Sequence, residues 1–155
     1  MTELSLHIRR AREEDLANLI KLFEEDEHGG HGDTSDEHAY DDYVKAFHII
    51  DQSLNEQLYV AEQGGEVVAS FQMAFLRTLR GRGGLNGIIE AVHTRSDRRG
   101  QGIGSKLLEF AVSEAKRRGC RLVQITHRSD RDGTRAFYEK AGFSPDFTGF
   151  RMHFK

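Results

Sequence analysis

"DRRGQGIGSKLL" (Asp97–Leu108) carries three glycines at alternate positions, Gly100, Gly102 and Gly104, and passes without a break into apolar residues at helical spacing. Ile103, Leu107, Leu108, Ala111, Val112 and Ala115 form one stripe, basic residues fill the last turn and Gly119 supplies a stop. This predicts the best-specified helix of the chain. A strand, "LNGIIEAVHT" (Leu85–Thr94), precedes it. A strand that enters a helix through such a turn leaves the first backbone N–H groups of the helix unpaired, with the positive end of the helix dipole behind them. The glycines keep side chains away from those donors, so the stretch reads as an anion site to which Arg98 and Arg99 add charge. A tight turn alone would account for one glycine, not for three in alternation.

The elements on either side follow from periodicity. Leu4 to Ala11 alternates apolar and polar residues and predicts a first strand. Leu16, Leu19, Ile20 and Phe23 predict a helix from Glu13 to about Glu25, with acids in its first turn where the dipole favours them. "EHGGHGDTSDEH" interrupts as a loop, and Tyr40, Tyr43, Val44, Phe47 and Ile50 resume a helical pattern. Two β-rich runs flank Gly64-Gly65 and predict a hairpin. After the glycine-rich helix come a short buried strand "CRLVQIT", a short helix in "DGTRAFYEKAG" and a last strand "FRMHFK". There is no repeat and no linker, which predicts one α/β domain over residues 1–155.

Composition narrows the function classes. Charged residues make up 30% and hydrophobic ones 37%, with one proline, as in a well-ordered globular chain. No apolar run approaches the roughly 20 residues that span a bilayer, and the start lacks a signal-peptide layout, so a cytoplasmic protein without membrane contact is expected. A pI near 6.2 with no interleaved basic and aromatic residues argues against nucleic acid. The formal charge of −3 hides an asymmetry. Thirteen Asp or Glu lie between Arg12 and Asp51, whereas Arg77, Arg80, Arg82, Arg95, Arg98 and Arg99 gather ahead of and inside the glycine-rich stretch. Cys120 is the only cysteine, which excludes an internal disulfide and a thiolate-rich metal site.

The anion can be narrowed by elimination. The Walker pattern needs Gly-Lys-[Ser/Thr], but Gly104-Ser105-Lys106 places the lysine one residue late. The dinucleotide fingerprint would put its third glycine on Ser105, and it follows a first strand, not a fourth. What fits is Arg99-x-x-Gly102-x-Gly104. Here "RRGQGIGSKLL" resembles the acyl-CoA signature of the GNAT N-acetyltransferase superfamily, "TRAFYEKAGF" (Thr134–Phe143) resembles its second hallmark segment, and "IIEAVHT" resembles its central strand. The likeness in element order runs over nearly the whole chain. It implies an α/β fold with a twisted mixed sheet of about six to seven strands that splays after the fourth, flanked by helices. It also implies transfer of an acetyl group from acetyl-CoA to an amine, with no metal.

The resemblance further implies site residues. Val92, His93 and Thr94 would offer backbone groups to the pantetheine arm, and Arg99, Gly100, Gln101, Gly102, Ile103, Gly104 and Ser105 would hold the pyrophosphate. Many relatives carry Asn at the position aligned with Arg131; this chain has "SDRDGT", a departure that leaves the contact to Arg131 or Asp130. An alkylamine of pKa about 10.4 must lose a proton at a cost of about 4.6 kcal/mol at pH 7. Glu90, two residues before Val92 and so expected on the same face, is the candidate base, directly or through water. The alternative for Glu90 is an exposed or salt-bridged role. Tyr138 stands where the family places an acid for the departing thiolate, the alternative being that it packs and orients the thioester. Phe137 reads as core.

Cys120 has no histidine near it in sequence and reads as a buried thiol rather than an acyl carrier. His28, His31, Asp33 and His38 could ligate a metal, but their glycine setting and spacing argue against a preformed site. The acidic third of the chain, where the family builds its acceptor pocket, suggests a cationic acceptor: a polyamine, an amino sugar or a lysine-bearing peptide. The ending also resembles enzymes that acetylate aminoalkylphosphonates, which leaves an anionic acceptor open, with Arg77, Arg80 and Arg82 as contacts. A non-catalytic acyl-CoA sensor and a nucleotide-binding regulatory module are the readings from other classes. Monomer and homodimer are both left open.

Overall fold

The computed structural model describes residues 5–25, 32–127 and 133–154. The elements run β1 (Leu6–Arg10), a 3-10 turn at Glu13–Asp15, α1 (Leu16–Glu24), α2 (Glu37–Gln52), β2 (Glu56–Gln63), β3 (Glu66–Arg77), α3 (Arg80–Gly83), β4 (Leu85–Thr94), α4 (Ile103–Arg117), β5 (Leu122–Ile125) and α5 (Thr134–Lys140). One sheet takes the strands in the order β1-β2-β3-β4-β5, antiparallel up to β4 and parallel from β4 to β5. Gly64 and Gly65 both adopt positive φ, as the expected hairpin turn demands.

The expectation of six to seven strands is corrected to five among the described residues. "FRMHFK" alternates as a strand should, yet residues 143–154 form no ladder, and Phe150, Met152 and Phe154 are exposed. Alternation specifies a face; a strand also needs a neighbour to receive its backbone hydrogen bonds.

The two faces of the sheet carry separate cores. Ile103, Leu107, Leu108, Ala111 and Ala115 of α4 pack on Phe71, Met73, Phe75 and Ile89. On the other face Ala11, Leu16, Leu19 and Phe47 enclose Val60. Each fully buried side chain of this size contributes about 1.5–3 kcal/mol, which is what holds α4, and hence its start, on the sheet.

One buried ionic group ties the first strand to the helical layer. The Arg9 guanidinium donates two hydrogen bonds to Asp15, at 2.8 and 2.9 Å, and also reaches Glu62 Oε1 at 2.6 Å; the Arg12 amide adds a third bond to Asp15 at 2.7 Å. Burial pushes the Asp15 carboxyl up, but the bonds from Arg9 and Arg12 outweigh it and leave the group below its ordinary 3.8. A depressed folded pKa means that stability is present above the unfolded value and is lost as pH falls through the folded one. Asp15→Asn is expected to cost about 1–3 kcal/mol at pH 7. In thermal melts from pH 7 down to pH 3, its difference from the parent should shrink below the ordinary carboxylate pKa.

Candidate functional site

The pairing of β4 changes along its length. With β5 it runs only from Asn86↔Leu122 to Ile89↔Ile125, whereas with β3 it continues to Thr94↔Ala69. Residues 90–94 are therefore laddered on one side only among the described residues.

Within this stretch β4 bulges. Gln72 pairs with Glu90 and Ser70 with His93, so Ala91 and Val92 together oppose Phe71. Ala91 takes φ 53 to make the extra residue fit, a left-handed conformation that costs a non-glycine residue about 1–2 kcal/mol. The expectation that Glu90 and Val92 share a face is thereby corrected. Val92 packs toward the α4 core, while Glu90 is exposed and falls in phase with His93 on the α1 side. There the His93 ring lies 5.4 Å from that of Phe23, one residue before the end of α1.

Beyond β4 a 3-10 turn, Ser96–Arg98, leads to the glycines. Gly100 (φ 78) and Gly102 (φ 81) are left-handed, and a Cβ added at either would meet nothing within 4 Å. Gly102 is the N-cap of α4, and no side chain caps this helix. The amides of Ile103, Gly104 and Ser105 thus form the start of a 15-residue helix with open space before them. An anionic diphosphate fits this cradle: donors, dipole and room are all present. Gln101 is exposed on the same turn.

Gly104 does something else. Its φ is not positive, and a Cβ there would lie 3.3 Å from Phe137 Cζ. The third glycine lets α5 seat its aromatic residue on α4, and Phe137 accordingly joins the margin of the core. Gly104→Val is expected to destabilise the fold by about 1–3 kcal/mol by overpacking. Denaturant titration of the single and of Gly104→Val/Phe137→Leu checks it, because the second change should return part of the loss.

The arginines divide. Arg95 is held by Asp97 and Glu66, and Arg98 by Gln63 at 3.1 Å and Glu66 at 3.6 Å, so these two mainly brace the turn against β2 and β3. Arg99 donates from Nε to the Thr94 carbonyl at 3.2 Å. Arg77 pairs with Leu85, at the far end of a strand of 10 residues, roughly 33 Å long at ~3.3 Å per residue. Arg80 and Arg82 lie in α3 at that same end. The single arginine cluster expected from the sequence is therefore two groups separated by β4, and Arg77, Arg80 and Arg82 stand away from residues 90–94. Arg77 instead lines an open pocket of about 430 Å³ with Asn55, Phe75, Leu85, Arg117 and Arg118.

Tyr138 lies on α5, half-buried, with its ring 5.7 Å from His127, 5.3 Å from Phe137 and 6.0 Å from Phe143. His127 follows β5 by two residues, so Tyr138 is packed beside the end of the strand that pairs with the first part of β4. Cys120 is half-buried, and burial pushes its thiol up, as suits a structural thiol. Arg131, Asp130, His28 and His31 lie outside the described residues. Among the described residues no group of His, Cys, Asp or Glu could hold a metal ion, and no helix is long and apolar enough to cross a membrane.

On the acidic side several carboxylates serve local structure. Glu24 accepts from the Ser35 amide, the Tyr43 hydroxyl donates to Asp33 at 2.9 Å, and the Ser96 amide donates to Glu25 at 3.0 Å. The last bond joins the end of α1 to the turn that opens the glycine loop. Sequence reading missed it, as it missed the Phe23–His93 contact; a pair 71 residues apart leaves no local signal.

The acetyltransferase (GNAT) family model matches residues 16–143. Among solved structures the chain is similar to a transcriptional regulator from Bacillus halodurans C-125, with 37% identity over 97% of this chain and 100% of that one, at TM-score 0.92. It is also similar to a glucosamine-6-phosphate N-acetyltransferase from Arabidopsis thaliana (22% identity, 97% and 99% coverage, TM-score 0.82). An aminoglycoside acetyltransferase from an uncultured soil metagenomic sample, solved in complex with sisomicin, gives 19% identity, 97% coverage of each chain and TM-score 0.77. No curated protein matches.

Proposed function

Because the chain belongs to the acetyltransferase (GNAT) family, we propose that it transfers the acetyl group of acetyl-CoA directly to a primary amine within a ternary complex. The observation that carries this reading is the uncapped start of α4 behind left-handed Gly100 and Gly102, next to a β4 segment with one open side. The amides of residues 102–105 bind the diphosphate, and the backbone of Val92, His93 and Thr94 receives the pantetheine arm as a further strand. When bound, acetyl-CoA supplies the activated thioester. Glu90, or a water it orders, takes the proton from the amine as nitrogen attacks. Tyr138 gives a proton to the departing thiolate, and the protein holds no acyl intermediate.

For the acceptor we propose a cationic amine, in keeping with the excess of carboxylates between Arg12 and Asp51. Amino sugars, polyamines and lysine-bearing peptides are therefore the first panel. Release of free thiol from acetyl-CoA should be stimulated by members of that panel; stimulation by neutral or anionic amines alone would overturn the acceptor class. The name of the 37%-identical Bacillus structure supports a second reading, an acyl-CoA-binding regulatory module without turnover. Calorimetry with CoA and with ATP, together with the amine panel, separates them, since the module would bind CoA and release thiol with no amine.

A further inference from the structure

We infer that the open pocket lined by Arg77, Arg117 and Arg118 is a second anion site, which takes a small molecule bearing a di- or triphosphate and is separate from the start of α4. The two places lie at opposite ends of one helix. α4 begins at Ile103, and Arg117 and Arg118 close its other end, about 22 Å away at ~1.5 Å per residue. Charge at this end is not balanced. Glu114 is the one carboxylate that pairs with the three guanidinia among the described residues: Arg117 donates to it from Nε at 3.0 Å, and the Arg118 Nε stands 3.5 Å from it. Arg77 spends one of its five N–H groups on the Gly83 carbonyl, at 2.9 Å, and meets no carboxylate among the described residues. Two positive charges are left unmatched. The C-terminal end of α4 opposes an anion with roughly half a charge, which is less than that surplus.

The side chains are also held in place. Arg118 sits over the Phe75 ring, 4.2 Å from its centroid, and donates from Nη1 to the Leu54 carbonyl at 3.2 Å. Arg77 is held by a loop whose Gly81, Arg82 and Gly83 are all left-handed, with φ 65, 60 and 75, a conformation that a non-glycine residue keeps only where its surroundings fix it. Groups ordered in advance lose less freedom on binding. The ligand class follows from what lines the space. Guanidinium forks match phosphate oxygens two at a time, and about 430 Å³ lies within the range of small-molecule sites. The one aromatic ring of the lining, Phe75, is 5% exposed beneath Arg118, so no platform receives a base. The phosphates, rather than a nucleoside, are what the pocket recognises.

Calorimetric titration of the full chain with inorganic triphosphate at ~0.15 M salt tests this, with ATP beside it to separate a polyphosphate from a nucleotide; equal affinities are expected. Arg77→Gln and Arg117→Gln should each weaken triphosphate binding about tenfold, the worth of a charge-assisted hydrogen bond, with unchanged circular dichroism. Arg12→Gln removes the same charge from an exposed side chain elsewhere and should change nothing. Gly102→Asp should leave this site at the parent affinity whatever it does to CoA, which keeps the two sites distinguishable. The inference is overturned if triphosphate binds only at millimolar concentration, if Arg77→Gln binds it as the parent does, or if Arg12→Gln costs as much. Disappearance of all triphosphate binding in Gly102→Asp would overturn it too, and an affinity for ATP far above that for triphosphate would overturn the ligand class.

Discussion

Replacing Tyr138 by phenylalanine is expected to lower kcat by about 10²–10⁴, the range over which a positioned proton donor acts, while the affinity for CoA stays at the parent value. The ring is what the fold uses: it meets His127, Phe137 and Phe143, and phenylalanine keeps those contacts. The hydroxyl is what the reaction would use, because a thiolate that leaves without a proton is the poorer leaving group at neutral pH. Steady-state rates with the best amine of the panel, beside calorimetry with CoA, give both quantities. If kcat and affinity fell together, Tyr138 would be orienting the thioester rather than protonating it; if neither fell, its placement beside the end of β5 would be incidental.

Gly102→Asp is expected to weaken acetyl-CoA binding about 10²-fold without unfolding the protein. Gly102 sits at φ 81 and ψ 9, a region that Asp enters with less strain than most residues, and open space surrounds the added side chain. The new carboxylate would stand where the diphosphate is to lie. Two like charges ~5 Å apart at an effective dielectric of ~20 repel by about 3 kcal/mol, which is roughly two decades in Kd. Titration of CoA into the variant measures it, with a thermal melt as the control for folding. Equal affinity in parent and variant would mean that the diphosphate binds elsewhere, and the proposed use of the α4 start would fall with it.

The start of α4 was legible in sequence because its signal is local: left-handed turns need glycine, and a helical stripe follows at once. What was not legible depended on neighbours. Gly104 looks like its companions, yet only the Phe137 ring 33 residues later explains it. Arg77 and Arg99 seem to belong to one basic region until β4 is drawn between them at full length. "FRMHFK" has the right alternation, but alternation does not say whether a neighbouring strand receives it. The face shared by Glu90 failed for another reason, since period-two reasoning assumes an unbroken ladder and alanine gives no warning of a left-handed bend.

That bend has a consequence for how this strand tolerates change. Side-chain substitutions between Glu90 and Thr94 alter the site by degrees, but a change in chain length there acts in whole steps. Loss of one residue at position 91 would pull the strand straight and leave every face beyond it as it is, with Val92 opposite Phe71 and His93 opposite Ser70. Loss of two would make Glu90 and His93 neighbours and invert the parity of everything beyond them. The segment therefore behaves like a vernier with a single engraved offset, carrying one residue more than its faces require.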